Sequence, residues 1–263
     1  MRAAAALLVL LGACASALHE PRPIGDLAPG EARGRSADEL VRAATAAWER
    51  RAQPGQAARA QALFLDAAAA DEKRVDAVFG AMRALSFRIE HERGVARGDL
   101  AAEEVELGQW CQRRAPQNPE CDYRLAIALG QQARERSSTG KDALGRMVAL
   151  LHTVIARTPA LDSGGPHRML ALVLLRAPSW PVGPGDPEEG LGEARAAVQL
   201  FPDAPDNQLA LAEALAANGS TAEARAAYAR ALALATAARA AGDLDAPRWM
   251  KEAREGLDNN RGP

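Results

Sequence analysis

The stretch PDNQLALAEALAANGSTAEARAAYARALALAT, residues 205–236, indicates the fold most clearly. It contains two runs of strong helix formers on either side of Gly219, and a glycine permits the left-handed conformation that ends a helix. Ser220 or Thr221 offers a hydroxyl group to cap the second helix, and Glu223 suits the positive end of its dipole. The pattern therefore predicts two antiparallel helices joined by a short turn.

The small and large residues of this unit follow the spacing of a tetratricopeptide repeat. In that repeat, small residues mark where two antiparallel helices touch, and larger residues fill the gaps between them. The unit resembles one such repeat, which implies a stack of helical hairpins. Seven positions match the pattern: Leu211, Ala212, Leu215, Gly219, Ala224, Tyr228 and Ala231.

The same pattern recurs upstream with longer turns. Pro116, Pro159 and Pro202 each end the second helix of a pair, and a degenerate pair opens the series within residues 37–71. The more polar helix at about residues 244–257 has the outer face that a terminal capping element needs. Aromatic residues make up only 4% of the chain, and strong helix formers dominate its composition. We predict an all-α solenoid of about five helix pairs plus a C-terminal capping helix.

The N-terminal residues 1–20, MRAAAALLVLLGACASALHE, have the pattern of a secretory signal. Arg2 precedes a short apolar stretch and then small residues, and about ten apolar residues are too few to span a membrane. Two processing sites compete. Residues 11–14, LGAC, resemble the bacterial lipobox, in which Cys14 becomes the acylated first residue of the mature protein. Residues 15–17, ASA, form an A-x-A site, and cleavage there would remove Cys14.

We favour lipidation of Cys14, because a single cysteine directly after the apolar stretch is what that chemistry requires. The expected organisation is a signal peptide over 1–13, a flexible tether over 14–35 and one solenoid domain over 36–263. By resemblance to bacterial lipoproteins, Ala15 in place of Asp favours the outer membrane. The expected location is the periplasmic face of the bacterial cell envelope.

Export changes the interpretation of the two remaining cysteines, Cys111 and Cys121. An oxidising compartment permits a disulfide, and a helix–turn–helix corner could bring the two within reach. The alternative is that both are small buried apolar residues. We predict the disulfide, whose spacing is not the C-x-x-C of a redox motif.

No arrangement of residues indicates enzymatic chemistry. Residues 183–186, GPGD, lack the spacing of a dinucleotide loop, and the proline removes a backbone donor. No cysteine has a nearby histidine partner for nucleophilic catalysis, and the 32 basic and 34 acidic residues give no charge bias towards nucleic acid. We therefore predict a non-enzymatic protein without catalytic residues, cofactor, metal site or nucleic-acid partner. The histidines lack paired metal-ligand spacing: His19, His91, His152 and His167.

The segment GGPHRMLALVLLRAPSWPVGPGD, residues 164–186, resembles the TatT family of periplasmic tetratricopeptide lipoproteins associated with TRAP transporters. Members show a segment like GGP-x-R-x-L-G-x-x-Y-x-x-AP-x-WP-x-G-x-GD. This chain departs from it with Ala171 for Gly and Leu174 near the usual Tyr, and upstream Arg124 takes the place of a Trp. The retained residues are Gly164, Gly165, Pro166, Arg168, Leu170, Ala177, Pro178, Trp180, Pro181, Gly183, Gly185, Asp186, Pro205, Asn207 and Leu211 to Glu213.

The resemblance implies a non-enzymatic scaffold that forms homo-oligomers and docks a periplasmic solute-binding protein. Some members of that family are proposed to deliver hydrophobic carboxylates. On that basis the candidate binding residues are His167, Arg168, Trp180 and Asn207, with Arg168 and His167 meeting a carboxylate near Trp180. Three roles stay open: an interaction scaffold, a small-ligand binder, and a purely structural factor for envelope assembly.

Overall fold

The computed structural model describes residues 16–30 and 34–260, which contain twelve α-helices. Two short 3₁₀ segments precede α7 and α8, at Ser137–Thr139 and Leu161–Ser163. In chain order the helices are α1 (Ile24–Leu27), α2 (Ala37–Glu49), α3 (Gln56–Ala70), α4 (Val75–His91), α5 (Arg97–Arg114), α6 (Pro119–Glu135), α7 (Gly140–Arg157), α8 (Gly165–Arg176), α9 (Pro187–Leu200), α10 (Pro205–Ala217), α11 (Thr221–Ala240) and α12 (Ala246–Asn259).

Ten of these helices form five consecutive hairpins, from α2–α3 to α10–α11, and α12 packs on the last of them. The prediction of an all-α solenoid with five helix pairs and a capping helix is confirmed. The first helices of successive hairpins contact one another, α2 with α4 and so on to α10 with α12. These first helices therefore form one continuous layer, which we call the inner layer.

Small residues at helix contacts explain the close packing. Ala212, Ala224 and Ala231 of the last hairpin are fully buried, as the repeat spacing predicted. A Cβ atom at Gly80 of α4 would lie only 2.6 Å from the ring of Phe64 on α3, so this contact requires a glycine. Alanine and glycine at the contacts allow the backbones to approach, and leucines fill the remaining space.

The helix boundaries follow local chemistry. Gly219 adopts φ +78° in the turn between α10 and α11, the left-handed conformation predicted for it. Asp186 accepts hydrogen bonds from the backbone N–H groups of Glu188 and Glu189, at 3.1 and 3.0 Å, and Pro187 occupies the first position of α9. Ser220 is the N-cap of α11, but its side chain makes no capping hydrogen bond.

Residues 16–30 are packed against the solenoid, which corrects the expectation of a flexible tether for this part of 14–35. Ala17 and Ile24 are buried, and the N–H of Ala17 donates to Oδ2 of Asp142 at 2.8 Å. The indole N–H of Trp110 on α5 donates to the carbonyl of Arg22 at 2.7 Å. The segment thus crosses second helices of the solenoid, and these apolar and polar contacts hold it in place.

The last helix closes the stack. Ala246, Met250, Ala253 and Gly256 of α12 are buried, three or four residues apart, so one stripe faces α10 and α11. The opposite face carries charged residues, which is what a capping element needs. Within the ranges that the structure describes, none of the helices combines the length and the apolar character needed to cross a membrane.

Candidate functional site

Arg168 and Asn207, two of the predicted binding residues, contact each other inside the protein. The Nη1 of Arg168 donates to Oδ1 of Asn207 at 2.8 Å, and its Nε and Nη2 lie 3.2 and 3.4 Å from carboxylates of Asp206 and Asp162. The Arg168 side chain is only 10% exposed. Its charge is already balanced by protein groups, so a ligand carboxylate would have to displace them.

Asn207 also satisfies the backbone at the end of the preceding helix. It is fully buried, and its Nδ2 donates to the carbonyls of Ser163, Ala197 and Phe201 at 3.0 to 3.2 Å. These carbonyls belong to a corner before α8 and to the C-terminal end of α9. Asn207 therefore joins α8, α9 and α10.

The glycine-rich start of α8 forms part of the same contact between helices. Asp162, Ser163 and Gly164 have consecutive positive φ values of 48°, 55° and 79°. A Cβ atom at Gly165 would overlap the hydroxyl of Tyr123 on α6, and that hydroxyl donates to Oδ2 of Asp162 at 2.7 Å. Burial and the charge of Asp162 raise the pKa of Tyr123. The corner thus ties α6 to α8, and its glycines serve packing rather than ligand binding.

His167 and Trp180 lie apart from that network. The Nδ1 of His167 contacts Oε2 of Glu193 on α9. Trp180 is 87% exposed in the loop after α8, whereas Arg168 lies in the first turn of α8. Eight residues of helix separate Arg168 from Arg176, or about 12 Å along the axis. The four predicted residues therefore do not line one common pocket.

The two cysteines that were predicted to pair form a disulfide in the structure. Cys111 near the end of α5 and Cys121 in the first turn of α6 are fully buried, with Cα atoms 5.3 Å apart. The bond closes the corner between the second and third hairpins. Cys14, the predicted lipidation site, lies outside the described residues.

A second group of side chains lies in the first two hairpins, on α2 and α4 of the inner layer and in the turn after α2. The guanidinium carbons of Arg51 and Arg83 lie 4.6 and 4.7 Å from the ring centre of Trp48 on α2. Phe87 meets Trp48 edge to face at 5.7 Å, and His91 stacks on Phe87 at 4.3 Å. We call these five residues the cationic–aromatic cluster.

In the part of the chain that the structure describes, the arginines of this cluster have no acidic partner. Among residues 16–30 and 34–260, no carboxylate lies within 4.0 Å of the guanidinium group of Arg51 or Arg83. Partial burial, together with the positive charges of Arg124 and Arg51, lowers the pKa of Arg83, and the charge of Glu120 opposes this shift. Arg124, which the family resemblance marked as a departure, lies beside the cluster but is paired with Glu120 at 3.2 Å, so the unpaired charges are those of Arg51 and Arg83. The site favours an anion.

An open cavity of about 390 Å³ adjoins the cluster, lined by Arg51, Phe87, His91, Arg93 and Glu92 among others, and Glu92 is paired with Arg88 at 2.8 Å. The Nε2 of His91 lies 3.4 Å from Oδ1 of Asp245, in the turn before α12. The hydrogen bond from His91 and the positive charge of Arg248 lower the pKa of Asp245. The turn before the capping helix therefore meets the end of α4 at His91, which lines the cavity.

The sequence reasoning missed this cluster. Arg83, Phe87 and His91 follow an i, i+4, i+8 spacing that places them on one face of α4, and this spacing was a usable signal. Trp48 lies on another helix 35 residues before Arg83, so only the packing of α2 on α4 completes the group.

A buried carboxyl group lies behind the inner layer. Glu104 on α5 is fully buried, and the hydroxyl of Ser86 on α4 donates to its Oε1 at 2.6 Å. Its Oε2 has no hydrogen-bond partner among the described residues. Burial raises the pKa of Glu104 to about 8. Within the described ranges, no group of three or more histidine, cysteine or acidic residues could hold a metal ion.

Comparison with known proteins relates the chain to solved structures. No protein-family model matches the chain, and no curated protein is significantly similar to it in sequence. A thermophilic TPR protein from Thermus thermophilus is similar in structure, with a TM-score of 0.60 and 21% identity over 82% of this chain and 98% of that one. YrrB, a TPR protein with an unusual peptide-binding site, gives a TM-score of 0.47 and 14% identity over 81% of this chain and 92% of that one. The Thermus structure supports the predicted fold, a solenoid of the tetratricopeptide type.

Proposed function

We propose that this protein is a non-enzymatic interaction scaffold whose cationic–aromatic cluster binds an acidic segment of a partner protein. The observation that carries the proposal is the pair of arginines, Arg51 and Arg83, held against Trp48 without a carboxylate partner in the described chain. An acidic side chain or a C-terminal carboxylate would supply the missing negative charge. Arginine binds carboxylates through two parallel hydrogen bonds, which gives direction as well as attraction.

The position of the cluster supports this role. Trp48 and Arg83 lie on α2 and α4, which belong to the inner layer, and Arg124 lies on the next inner helix, α6. The rings of Trp48 and Phe87 provide apolar surface beside the charges. A partner segment lying across these helices would meet both, and buried aromatic and arginine side chains dominate binding energy in protein interfaces.

We further propose that the scaffold is an outer-membrane lipoprotein facing the periplasm, acylated at Cys14. The apolar stretch followed by LGAC supports this location, and a disulfide between Cys111 and Cys121 suits an oxidising compartment. The resemblance of residues 164–186 supports a TRAP-type solute-binding protein as the partner and a homo-oligomeric assembly. Cleavage after Ala17 would instead release a periplasmic protein without a lipid.

A second candidate function uses the same cavity. Its volume of about 390 Å³ falls in the range of small-molecule sites, and it combines a guanidinium group with an aromatic ring. A small hydrophobic carboxylate would fit this chemistry better than it fits Arg168, which Asp162 and Asp206 already neutralise. Native mass spectrometry of the purified protein tests this candidate, because a bound acid lost in Arg51→Ala, which removes a guanidinium group that lines the cavity, would favour it.

Two experiments in the native cell test the main proposal. Palmitate labelling of the wild type and of Cys14→Ala tests the lipid anchor, and an unlabelled wild type rejects it. A photo-crosslinking amino acid placed at Arg83 should capture one discrete partner, whereas the same group at Arg195 on α9 should not. Arg195 is an exposed arginine on a second helix, away from the inner layer, and serves as the matched control. Equal capture from both positions would contradict the proposed docking site.

A further inference from the structure

The loop between α8 and α9, residues 177–186, presents two large apolar side chains to solvent. Trp180 is 87% exposed and Val182 is 61% exposed, more than any other large hydrophobic residue of the described chain. Neither packs on the solenoid. A tryptophan this exposed buries little apolar surface on folding, so we expect its ring to contact something outside the chain.

Backbone contacts hold these side chains outward. The N–H groups of Val182 and Gly183 donate to the carbonyl of Ser179 at 3.1 and 3.2 Å, and the N–H of Gly185 donates to the carbonyl of Pro178 at 2.9 Å. A Cβ atom at Gly183 would lie 2.6 Å from the carbonyl oxygen of Pro178. The loop is therefore a closed, tightly packed turn that displays Trp180 at its surface.

The turn lies at the same edge of the solenoid as the start of the described chain. Because the helices of each hairpin are antiparallel, the turns within hairpins share one edge and the turns between hairpins share the other. The N–H of Ala17 is bonded to Asp142, in the first turn of α7, which follows the turn within the third hairpin. The loop 177–186 is the turn within the fourth hairpin, and α7 packs on α8. Packed helices lie about 8–10 Å apart, so the two features are neighbours.

The short distance from Cys14 to Ala17 determines which edge of the solenoid a lipid on Cys14 would place at the membrane. Three residues span at most about 11 Å, and Ala17 is 1% exposed and hydrogen-bonded. An acyl chain on Cys14 would therefore hold this edge of the solenoid against the bilayer. A long tether would have left the orientation open, but the docked segment 16–30 removes that freedom.

We propose that Trp180 and Val182 insert into the interface of the same bilayer and form a second, direct membrane contact. The inference rests on the proposed lipid anchor. Tryptophan prefers the membrane–water interface, where its ring is partly buried and its N–H stays hydrated. One tryptophan and one valine bury far less than the roughly 800 Å² per partner of a standard protein interface, which favours lipid over a protein as the occupant.

The charges at this edge predict the lipid preference. Arg134 pairs with Glu90 at 2.7 Å, and Arg136 pairs with Asp99 at 3.0 Å. Near the loop, the exposed acidic residues Glu188 and Glu189 at the start of α9 also offset the exposed Lys141 at the start of α7, so these charges give no net basic excess for anionic lipids. Insertion should therefore occur in vesicles of phosphatidylcholine alone and should change little when anionic lipid is added.

The test uses an environment-sensitive fluorophore on Val182→Cys in the mature chain, attached to phosphatidylcholine vesicles in two ways. One arm uses the natural lipid on Cys14. The other replaces Cys14 with an N-terminal hexahistidine tag held by a nickel-chelating lipid, so it works even if palmitate labelling rejects the natural anchor. The matched control is the same fluorophore on Lys73→Cys, an exposed site in the turn between α3 and α4, at the opposite edge.

The proposal predicts a shift of emission to shorter wavelength and quenching by lipid-borne quenchers at position 182, and neither at position 73. Replacing Trp180 with serine should reduce both signals at position 182. A label at 182 that stays exposed to water in both arms would overturn the proposal, as would equal quenching at 182 and 73. A signal that requires anionic lipid would also overturn it, since it would replace apolar insertion with charge attraction.

Discussion

Arg168 donates to Asn207 at 2.8 Å inside the protein, so two residues retained from the family pattern hold helices together rather than face a ligand. Asn207 in turn donates to three backbone carbonyls, and Arg168 meets two carboxylates. In this part of the chain, the residues that carry the family resemblance hold the ends of neighbouring helices together.

Asn207→Ala should destabilise the fold strongly. It removes four hydrogen bonds of a fully buried side chain, three to backbone carbonyls and one from Arg168, which keeps its contacts with Asp162 and Asp206. Each buried group left unsatisfied costs about 1–3 kcal/mol. We expect a loss of about 3–5 kcal/mol in the free energy of unfolding, measured by urea denaturation. Arg195→Ala on the exposed face of α9 should change it by less than about 0.5 kcal/mol. An Asn207→Ala protein of wild-type stability would show that the corner does not hold the helices.

Glu104 should make the stability depend on pH. Its pKa is about 8 in the folded protein against 4.5 for the free side chain, so between those values the folded state binds the extra proton. Stability should therefore be highest below about pH 4.5 for this group, fall as pH rises, and level off above about pH 8. The expected loss between pH 5 and pH 8 is on the order of 3 kcal/mol.

Glu104→Gln isolates this effect. The amide oxygen can still accept the hydrogen bond from Ser86, but the side chain cannot ionise. The variant should lose the decline in stability between pH 5 and pH 8, measured by urea denaturation across that range. Glu223→Gln, at an exposed position of α11, should keep the wild-type profile. Parallel profiles for wild type and Glu104→Gln would refute the buried charge as the cause.

Reduction of the Cys111–Cys121 bond should lower stability moderately. The bond closes a short loop, with a sequence separation of 10, and the chain-entropy model assigns it about 2–3 kcal/mol. Denaturation with and without a reductant measures the difference, and the double variant to serine should show no response to the reductant. If protein isolated from the periplasm carries two free thiols at these positions, the predicted pairing is wrong.

The His91–Asp245 contact should control how tightly the solenoid curls. His91→Ala removes the side-chain contact with Asp245 that links α4 to the turn before α12. Since the two side chains are 24% and 41% exposed, the effect on stability should be below about 1 kcal/mol. The distance between spin labels on α4 and α12 should nevertheless broaden or lengthen. An unchanged distance distribution would show that packing elsewhere sets the curvature.

The hairpins could be predicted because their signals are local. Small residues such as Ala212 and Ala224, a turn glycine and helix-ending prolines recur within each unit. The docking of residues 16–30 could not be predicted in this way, because Ala17 finds its partner 125 residues away at Asp142. Composition alone made this segment look like a tether.

The candidate site also combines local signals, which the sequence shows, with long-range contacts, which it does not. Arg168 stood out as a charged residue in a motif, but its partners Asp162 and Asp206 come from different elements, and only the fold shows that its charge is satisfied. Arg83 carried no motif, and its importance depends on Trp48 from another helix and on the absence of a nearby carboxylate within the described chain. Sequence spacing identifies faces of helices, whereas charge balance is a property of the packed structure.

The central claim is that the cationic–aromatic cluster binds acidic protein segments. The most direct test is a fluorescence anisotropy titration of the mature protein with a labelled peptide of eight glutamates, beside a lysine peptide of equal length. We predict binding of the acidic peptide only, weakened by salt, lost in Arg83→Glu and kept in the control Arg195→Glu. Equal binding of the acidic peptide by Arg83→Glu and by the wild type would contradict the account.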